Sequence, residues 1–291
     1  MKQEKDLSMK MQPSGISNSD LPYYVATKIF RQLINSQQIV LKLDQDRIYV
    51  IDGREGLGKS KLARQLAYVV DPTICLDRIV FSSKDFEAAI RKADKHQAII
   101  FDECFRGLSG RSSLSKENKR LVQLMMECRQ KNLFVFLVLP SYFLLEKYAA
   151  IFRSTALFHV MASNKDPKRR YYKPYNYKQK KFLYILGKQM MDYSKPRVPY
   201  TYRFYNKEIP TVDYDAYAKK KLAAFQDLAG EELTLGKLEE RFMLQRNVLI
   251  IHDNKVDKKP QREIAKIMKD GGAPMTMSTI AAICANAPKI P

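Results

Sequence analysis

The stretch Tyr49 to Ala67, YVIDGREGLGKSKLARQLA, decides how this chain is read. Gly53, Gly58, Lys59 and Ser60 fall at the spacing G-x-x-x-x-G-K-S, behind the apolar run Ile48 to Ile51 and ahead of a helical pattern at Leu62, Leu66 and Val69. Glycines at 53, 56 and 58 let the backbone take conformations closed to other residues, so successive N–H groups can turn inward on a phosphate. The positive end of the following helix adds to that field. Lys59 is expected to reach the β- and γ-phosphates of ATP, and Ser60 to ligate Mg²⁺. The nucleotide-binding segment comprises Gly53, Arg54, Glu55, Gly56, Leu57, Gly58, Lys59, Ser60 and Lys61. A glycine-rich strand-to-helix turn can be no more than a turn, but the Lys-Ser pair and these flanks argue against that.

The run Ala98-Ile99-Ile100-Phe101-Asp102-Glu103 carries the second piece of chemistry. A buried strand here delivers two carboxylates to its C-terminal edge, where ligands of open α/β sheets sit. Asp102 can hold Mg²⁺ through water, and Glu103 can polarise the attacking water. An apolar run ending in Asp-Glu is by itself a common strand terminus; a strand and a helix between it and Lys59 turn it into an expectation of ATP hydrolysis.

The chain has 291 residues and a hydrophobic fraction of 45%, enough for one large domain or a core with an appendage. The longest apolar stretch, Leu133 to Pro140, is far short of a membrane span, and the N-terminus has no positive-then-apolar signal pattern. A soluble, intracellular, cytoplasmic protein is expected. The 4 cysteines are scattered without a C-x-x-C pair and there are 3 histidines, which argues against zinc. A net charge of +20 points to a polyanion, with nucleic acid ahead of an anionic membrane surface.

Residues 1–20 are polar and carry Pro13, Ser14, Gly15, Ser17, Asn18 and Ser19, as in a loose tail. A helix is expected from Tyr23 to about Gln37, then two strands at Ile39 to Leu43 and Arg47 to Ile51. Further strands are expected at Arg78 to Ser82, Gln97 to Asp102, Leu133 to Leu139 and Thr155 to Met161. Helices are expected at Phe86 to Ala93, Ser115 to Asn132 and Phe143 to Phe152. This alternation argues for an α/β core over 21–162 with a parallel sheet covered on both faces.

Gly53-x-x-x-x-Gly58-Lys59-Ser60 together with Ile100-Phe101-Asp102-Glu103 resembles the Walker A and Walker B motifs of P-loop ATPases of the RecA-like or ASCE division, over roughly residues 45–162. The resemblance implies a sheet in the order 5-1-4-3-2, with strand 4 between the two motif strands. The polar loop from Gly107 to Ser115, Asn118, a helix ending at Arg129 and a strand closed by Pro140-Ser141 are similar to HerA and FtsK-type DNA translocases and packaging ATPases. There Thr-Gln or a similar pair usually stands where this chain has Pro140-Ser141. The same resemblance implies a homo-oligomeric ring, with a hexamer expected, and a catalytic arginine from the neighbouring subunit. Arg153 is the first candidate, and Arg106, Arg111 and Arg129 compete with it.

From Asn164 the composition shifts. Lys165, Lys168, Arg169, Arg170, Lys173, Lys178, Lys180 and Lys181 alternate with Tyr171, Tyr172, Tyr175 and Tyr177. Cations can neutralise phosphates and tyrosines can stack on bases, so this part of a basic extension over 163–230 is a candidate DNA contact strip. The alternative is a hairpin whose tyrosines cover the core. A helix is expected from Asp213 to Gln226. Residues 234–291 read as a small helical module of three pieces, Thr234 to Ile251, Pro260 to Lys269 and Met277 to Ala285. The last two resemble a helix-turn-helix, with Thr276, Ser278 and Thr279 as contact positions and Ile264, Ile267 and Met268 facing Ile280 and Ile283. Plain helical hairpins share that spacing. Three functions fit the sequence: a nucleic-acid motor ATPase, an ATP-gated DNA-binding switch or loader, and a nucleoside or nucleotide kinase.

Overall fold

The computed structural model describes residues 17–102, 111–163, 166, 169–224, 226, 246–247, 249–254, 257–270 and 275–285, with the backbone alone at 111–117. Met1–Ala224 and Phe225–Pro291 form two compact units. Glu103 and Arg106 lie outside the described residues, as does most of the expected helix Thr234 to Ile251.

The first unit runs α1 (Thr27–Leu43), β1 (Arg47–Gly53), α2 (Lys59–Val70), β2 (Ile79–Val80), α3 (Ser83–Lys92), β3 (Ala98–Phe101), α4 (Arg111–Gln130), β4 (Phe134–Val138), β5 (Ala156–Ala162), β6 (Arg170–Tyr175), α5 (Tyr177–Gly187) and β7 (Tyr202–Phe204). A further helix, α6, covers 214–224. The sheet has seven strands in the order β2-β3-β4-β1-β5-β6-β7. The pairs from β2 to β5 are parallel, and β6 and β7 add antiparallel to the β5 edge.

Side chains alternate along these strands, so each strand feeds two cores. Tyr49 and Ile51 of β1 and Phe134, Phe136 and Val138 of β4 cluster with Ile29 and Leu33 of α1 and Leu62 and Leu66 of α2. Ile48, Val50, Val135 and Leu137 cluster instead with Phe86 of α3, Leu121 and Met125 of α4 and Leu183 of α5. Each such side chain removed from water contributes about 1.5–3 kcal/mol, and together they press the helices onto both faces.

The expected strand Ile39 to Leu43 is corrected. These residues are the last turns of α1, whose buried stripe Ile29, Leu33, Gln37 and Val40 keeps helical spacing through them. Asp44, in the left-handed region at φ 48°, ends the helix. The expected helix Phe143 to Phe152 is corrected as well, to a 3₁₀ turn at Tyr142–Leu144 and a π turn at Ala149–Arg153. Asn118 of α4 pins this segment, donating to Leu144 O at 3.1 Å and accepting from Glu146 N at 2.7 Å.

The Tyr-rich strip divides between interior and surface: Arg169, Tyr177, Lys178 and Lys181 are exposed, Tyr172, Tyr175 and Lys180 are buried, and Lys165 and Lys168 lie outside the described residues. Tyr172 and Tyr175 are 1% and 0% exposed because β6 is a sheet strand, and Lys180 is 0% exposed on the inner face of α5. Asn176 starts α5 with a reciprocal cap, accepting from Gln179 N while the Gln179 side chain accepts from Asn176 N, both at 3.0 Å. Lys180 Nζ donates to Ala150 O at 2.8 Å and Ile151 O at 2.7 Å, satisfying carbonyls the short π turn leaves open.

Burial pushes the Lys180 ammonium down from its ordinary 10.5 to about 7. Between those values the unfolded chain holds a proton that the folded chain lacks. The stability from this group is therefore complete above 10.5 and is lost as pH falls towards 7. Urea unfolding at a series of pH values from about 7 to 10 is expected to show stability rising in the wild type, and rising less in Lys180→Met.

In the second unit, α7 (Gln261–Asp270) and α8 (Met277–Ala285) bury Ile264, Ile280 and Cys284 with Ile250. Met268 and Ile283 pack against that cluster, whereas Ile267, expected to face it, is 44% exposed. Thr276 caps α8, its Oγ1 accepting from Thr279 N at 3.2 Å. Among the described residues no helix is long and apolar enough to cross a membrane.

Candidate nucleotide site

The P-loop joins β1 to α2 and rests on two glycines at φ values that other residues rarely adopt. Gly53 has φ 137°, and a Cβ there would lie 2.4 Å from Val160 O of the neighbouring β5. Gly58 has φ 86° and caps α2, with a Cβ position 2.7 Å from Arg170 Nη1. Side chains are strained at such φ values, and at Gly53 an added Cβ would also meet backbone, so the close approach of the loop to β5 depends on glycine.

Lys59 Nζ donates to Gly53 O at 2.7 Å and Arg54 O at 3.0 Å, which folds the ammonium back along the loop. Ser60 Oγ donates to Asp102 Oδ1 at 2.9 Å. The structure thus brings Lys59, Ser60 and Asp102 into one site from the start of α2 and the end of β3. Ser60 and Asp102 place a hydroxyl and a carboxylate side by side, an all-oxygen donor pair of the kind that would suit Mg²⁺.

Asp102 is fully buried and has partners that sequence reasoning missed. Tyr217 Oη donates to its Oδ2 at 2.5 Å, and Lys221 Nζ lies 3.6 Å from the same oxygen. Burial, then the Asp102 charge, pushes the Tyr217 hydroxyl up to about 12, so it remains a donor at neutral pH. Both residues sit on α6, more than a hundred positions along the chain, and no motif marks them. The same helix is fastened to the P-loop helix. Arg64 lies over the Tyr217 ring at 4.0 Å and pairs with Glu208 at 2.8 Å, and Lys61 pairs with Glu208 at 2.8 Å. The basic extension is therefore, through residue 224, part of the nucleotide unit.

Tyr217→Phe is expected to lower stability by about 1.5–3 kcal/mol, because a buried carboxylate loses a charge-assisted bond. The deficit is expected to narrow when ATP and Mg²⁺ are present and the Asp102 oxygens have new partners. Urea titrations with and without both ligands measure it.

Arg153 does not gather with these groups. It pairs with Asp46 at 2.6 Å and donates to Met125 O, and its side chain is 16% exposed. Asp46 precedes β1, so the pair lies at the far end of that strand, about 20 Å from the P-loop. Among the competing arginines, Arg129 is exposed on α4 and Arg111 has only its backbone described. Ser141, after β4, bonds the Tyr193 hydroxyl at 3.1 Å. Tyr193 in turn donates to buried Asp52, which also meets His159 Nδ1 at 2.9 Å and Tyr142 N at 2.8 Å. This network braces the strand end from which the P-loop departs. His252, Asp253 and Asp257 of the second unit approach one another, but Lys259 already supplies a cation to Asp253 at 2.9 Å.

A mostly parallel α/β sheet with this loop at the end of β1 and an acidic residue at the end of β3 defines a P-loop NTPase core. The family model described as Novel STAND NTPase 3 matches residues 24–156, a span that takes in α1 through β4 and the whole P-loop. Among solved structures the chain is similar to the N-terminal domain of zonular occludens toxin from Neisseria meningitidis, at 17% identity and a TM-score of 0.29, covering 45% of this chain and 84% of that one. No curated protein matches.

Proposed function

We propose that this chain hydrolyses ATP and couples hydrolysis to nucleic acid, as a DNA translocase or packaging-type motor. The observation that carries the hydrolytic part is the Ser60–Asp102 contact at 2.9 Å, which joins the phosphate loop to the carboxylate that precedes Glu103 in the sequence. In this reading Lys59 and the loop N–H groups hold the phosphates, Ser60 and Asp102 hold Mg²⁺, and Glu103 takes the proton of the attacking water. Mg²⁺ supplies charge neutralisation on the phosphates when bound.

The nucleic-acid part is supported by the charge of +20 and by an exposed surface of alternating rings and cations. Tyr24, Tyr200 and Tyr205 are 51%, 51% and 43% exposed. Lys28 Nζ lies 4.0 Å over the Tyr200 ring, and the Arg203 guanidinium 4.9 Å over Tyr205. Such a surface can stack bases and neutralise phosphates together. A ring of subunits belongs to the same proposal, and a trans role for Arg153 in it requires the Asp46 pair to open. The helix-turn-helix reading of α7 and α8 also stays a proposal, with Thr276, Ser278 and Thr279 as its contact positions.

A second reading, an ATP-gated switch, is favoured by the Tyr217 and Lys221 contacts on Asp102, which tie the nucleotide site to the basic extension. ATP turnover measured with and without DNA, together with displacement of a blocked DNA duplex, separates the two. Stimulated turnover with directional displacement supports the motor; stimulation or ATP-dependent binding without displacement supports the switch. Phosphoryl transfer to a nucleoside would replace both with a kinase.

A further inference from the structure

The sheet order places the P-loop between two flanks. On one side, beyond β4, β3 delivers Asp102; on the other, beyond β5, β6 begins with Arg170. Arg170 pairs in register with Ala162 at the end of β5 and with Phe204 of β7, at the same sheet edge from which the P-loop leaves β1. Its Nη1 lies 2.7 Å from the point where a Cβ of Gly58 would sit, and Phe204 Cε2 lies 3.4 Å from that point. The guanidinium is therefore seated against the loop residue immediately before Lys59. It is half-buried, and among the described residues no carboxylate pairs with it.

We propose that Arg170 is a nucleotide-binding residue that grips the α- and β-phosphates from the β6 side. The inference rests on the P-loop reading above and goes beyond it, since no part of the Walker motifs includes this residue. The Ser60–Asp102 contact marks the flank of the loop where the metal and terminal phosphate belong. Arg170 is on the opposite flank, so the part of the phosphate chain nearest the ribose falls to it. A planar fork with five donors suits two adjacent phosphate oxygens. The residue acts within one subunit and on ADP as well as ATP, unlike an arginine that reaches only the transferred phosphate.

Binding of ADP and ATP to wild type, Arg170→Ala and Arg170→Lys tests this, with saturated turnover measured beside it. Arg170→Ala is expected to weaken both nucleotides alike, by about 10- to 100-fold, the size of one charge-assisted contact. Arg170→Lys should recover part of the affinity that Arg170→Ala loses. The melting temperature without nucleotide should be unchanged while its rise on adding ADP shrinks, a split that a purely structural role does not produce. If Arg170→Ala does not stay folded, Arg170→Lys decides, with a loss shared by ADP and ATP expected. Wild-type affinity for ADP in a folded variant overturns the proposal, as does a fall in turnover with binding unchanged. Lys59→Ala run alongside separates the failures. If it too binds nucleotide normally, the P-loop reading fails; if only Lys59→Ala loses binding, the Arg170 assignment fails alone.

Discussion

Lys59→Ala is expected to lose binding of ATP, whereas Glu103→Gln binds ATP as the wild type does and hydrolyses it about 10²–10⁴-fold more slowly. The two effects differ because the groups act at different moments. The Lys59 ammonium lies along the loop at Gly53 O and Arg54 O, and its charge is needed as soon as the phosphates arrive. A carboxylate following Asp102 matters only when water loses its proton, and Gln keeps the size while removing the basicity. Equilibrium binding of a fluorescent ATP analogue and release of inorganic phosphate measure the two steps. Hydrolysis undiminished in Glu103→Gln would remove Glu103 from the mechanism, and the motor reading would then need another base.

DNA affinity is expected to fall by about 10³-fold or more between about 50 and 200 mM salt, as for a protein that neutralises several phosphates. The location of the DNA-binding face is testable by slope. Lys28→Ala with Arg203→Ala is expected to reduce the salt slope by about two, one for each phosphate that the variant no longer neutralises. Lys178→Ala with Lys181→Ala, which removes two exposed cations of α5, serves as the comparison. If that pair flattens the slope and the Lys28 and Arg203 pair leaves it at the wild-type value, DNA lies on α5. Deleting the whole strip would not discriminate, because Tyr172, Tyr175 and Lys180 are interior and their removal would unfold the sheet edge.

How much of the molecule was legible depended on how local its cause was. Apolar runs of four to seven residues separated by amphipathic segments identified β1, β3, β4 and β5 to within a residue or two, because burial on both faces demands such runs. The largely aliphatic run at Ile39 to Leu43 has the same look and is helical, since nothing within five residues distinguishes a buried strand from the last turns of an amphipathic helix. Alternating tyrosines and lysines over 171–181 suggested a surface, yet β6 pairs with β5 and buries Tyr172 and Tyr175. Arg153 offered a finger by its position before the last core strand, and Asp46, in another loop, holds its charge.

By itself, the sequence determined a P-loop between a strand and a helix, an acidic strand end downstream, an alternating α/β core and a strongly basic chain. Each of these is set by spacing within a short segment or by composition. Only the tertiary structure decided that Ser60 meets Asp102, that Tyr217 and Lys221 of α6 cover the same carboxylate, and that Arg170 of β6 lies against Gly58. Those contacts join residues separated by up to more than a hundred positions. They follow from strand order and from the packing of a late helix beside an early one, which no local pattern encodes.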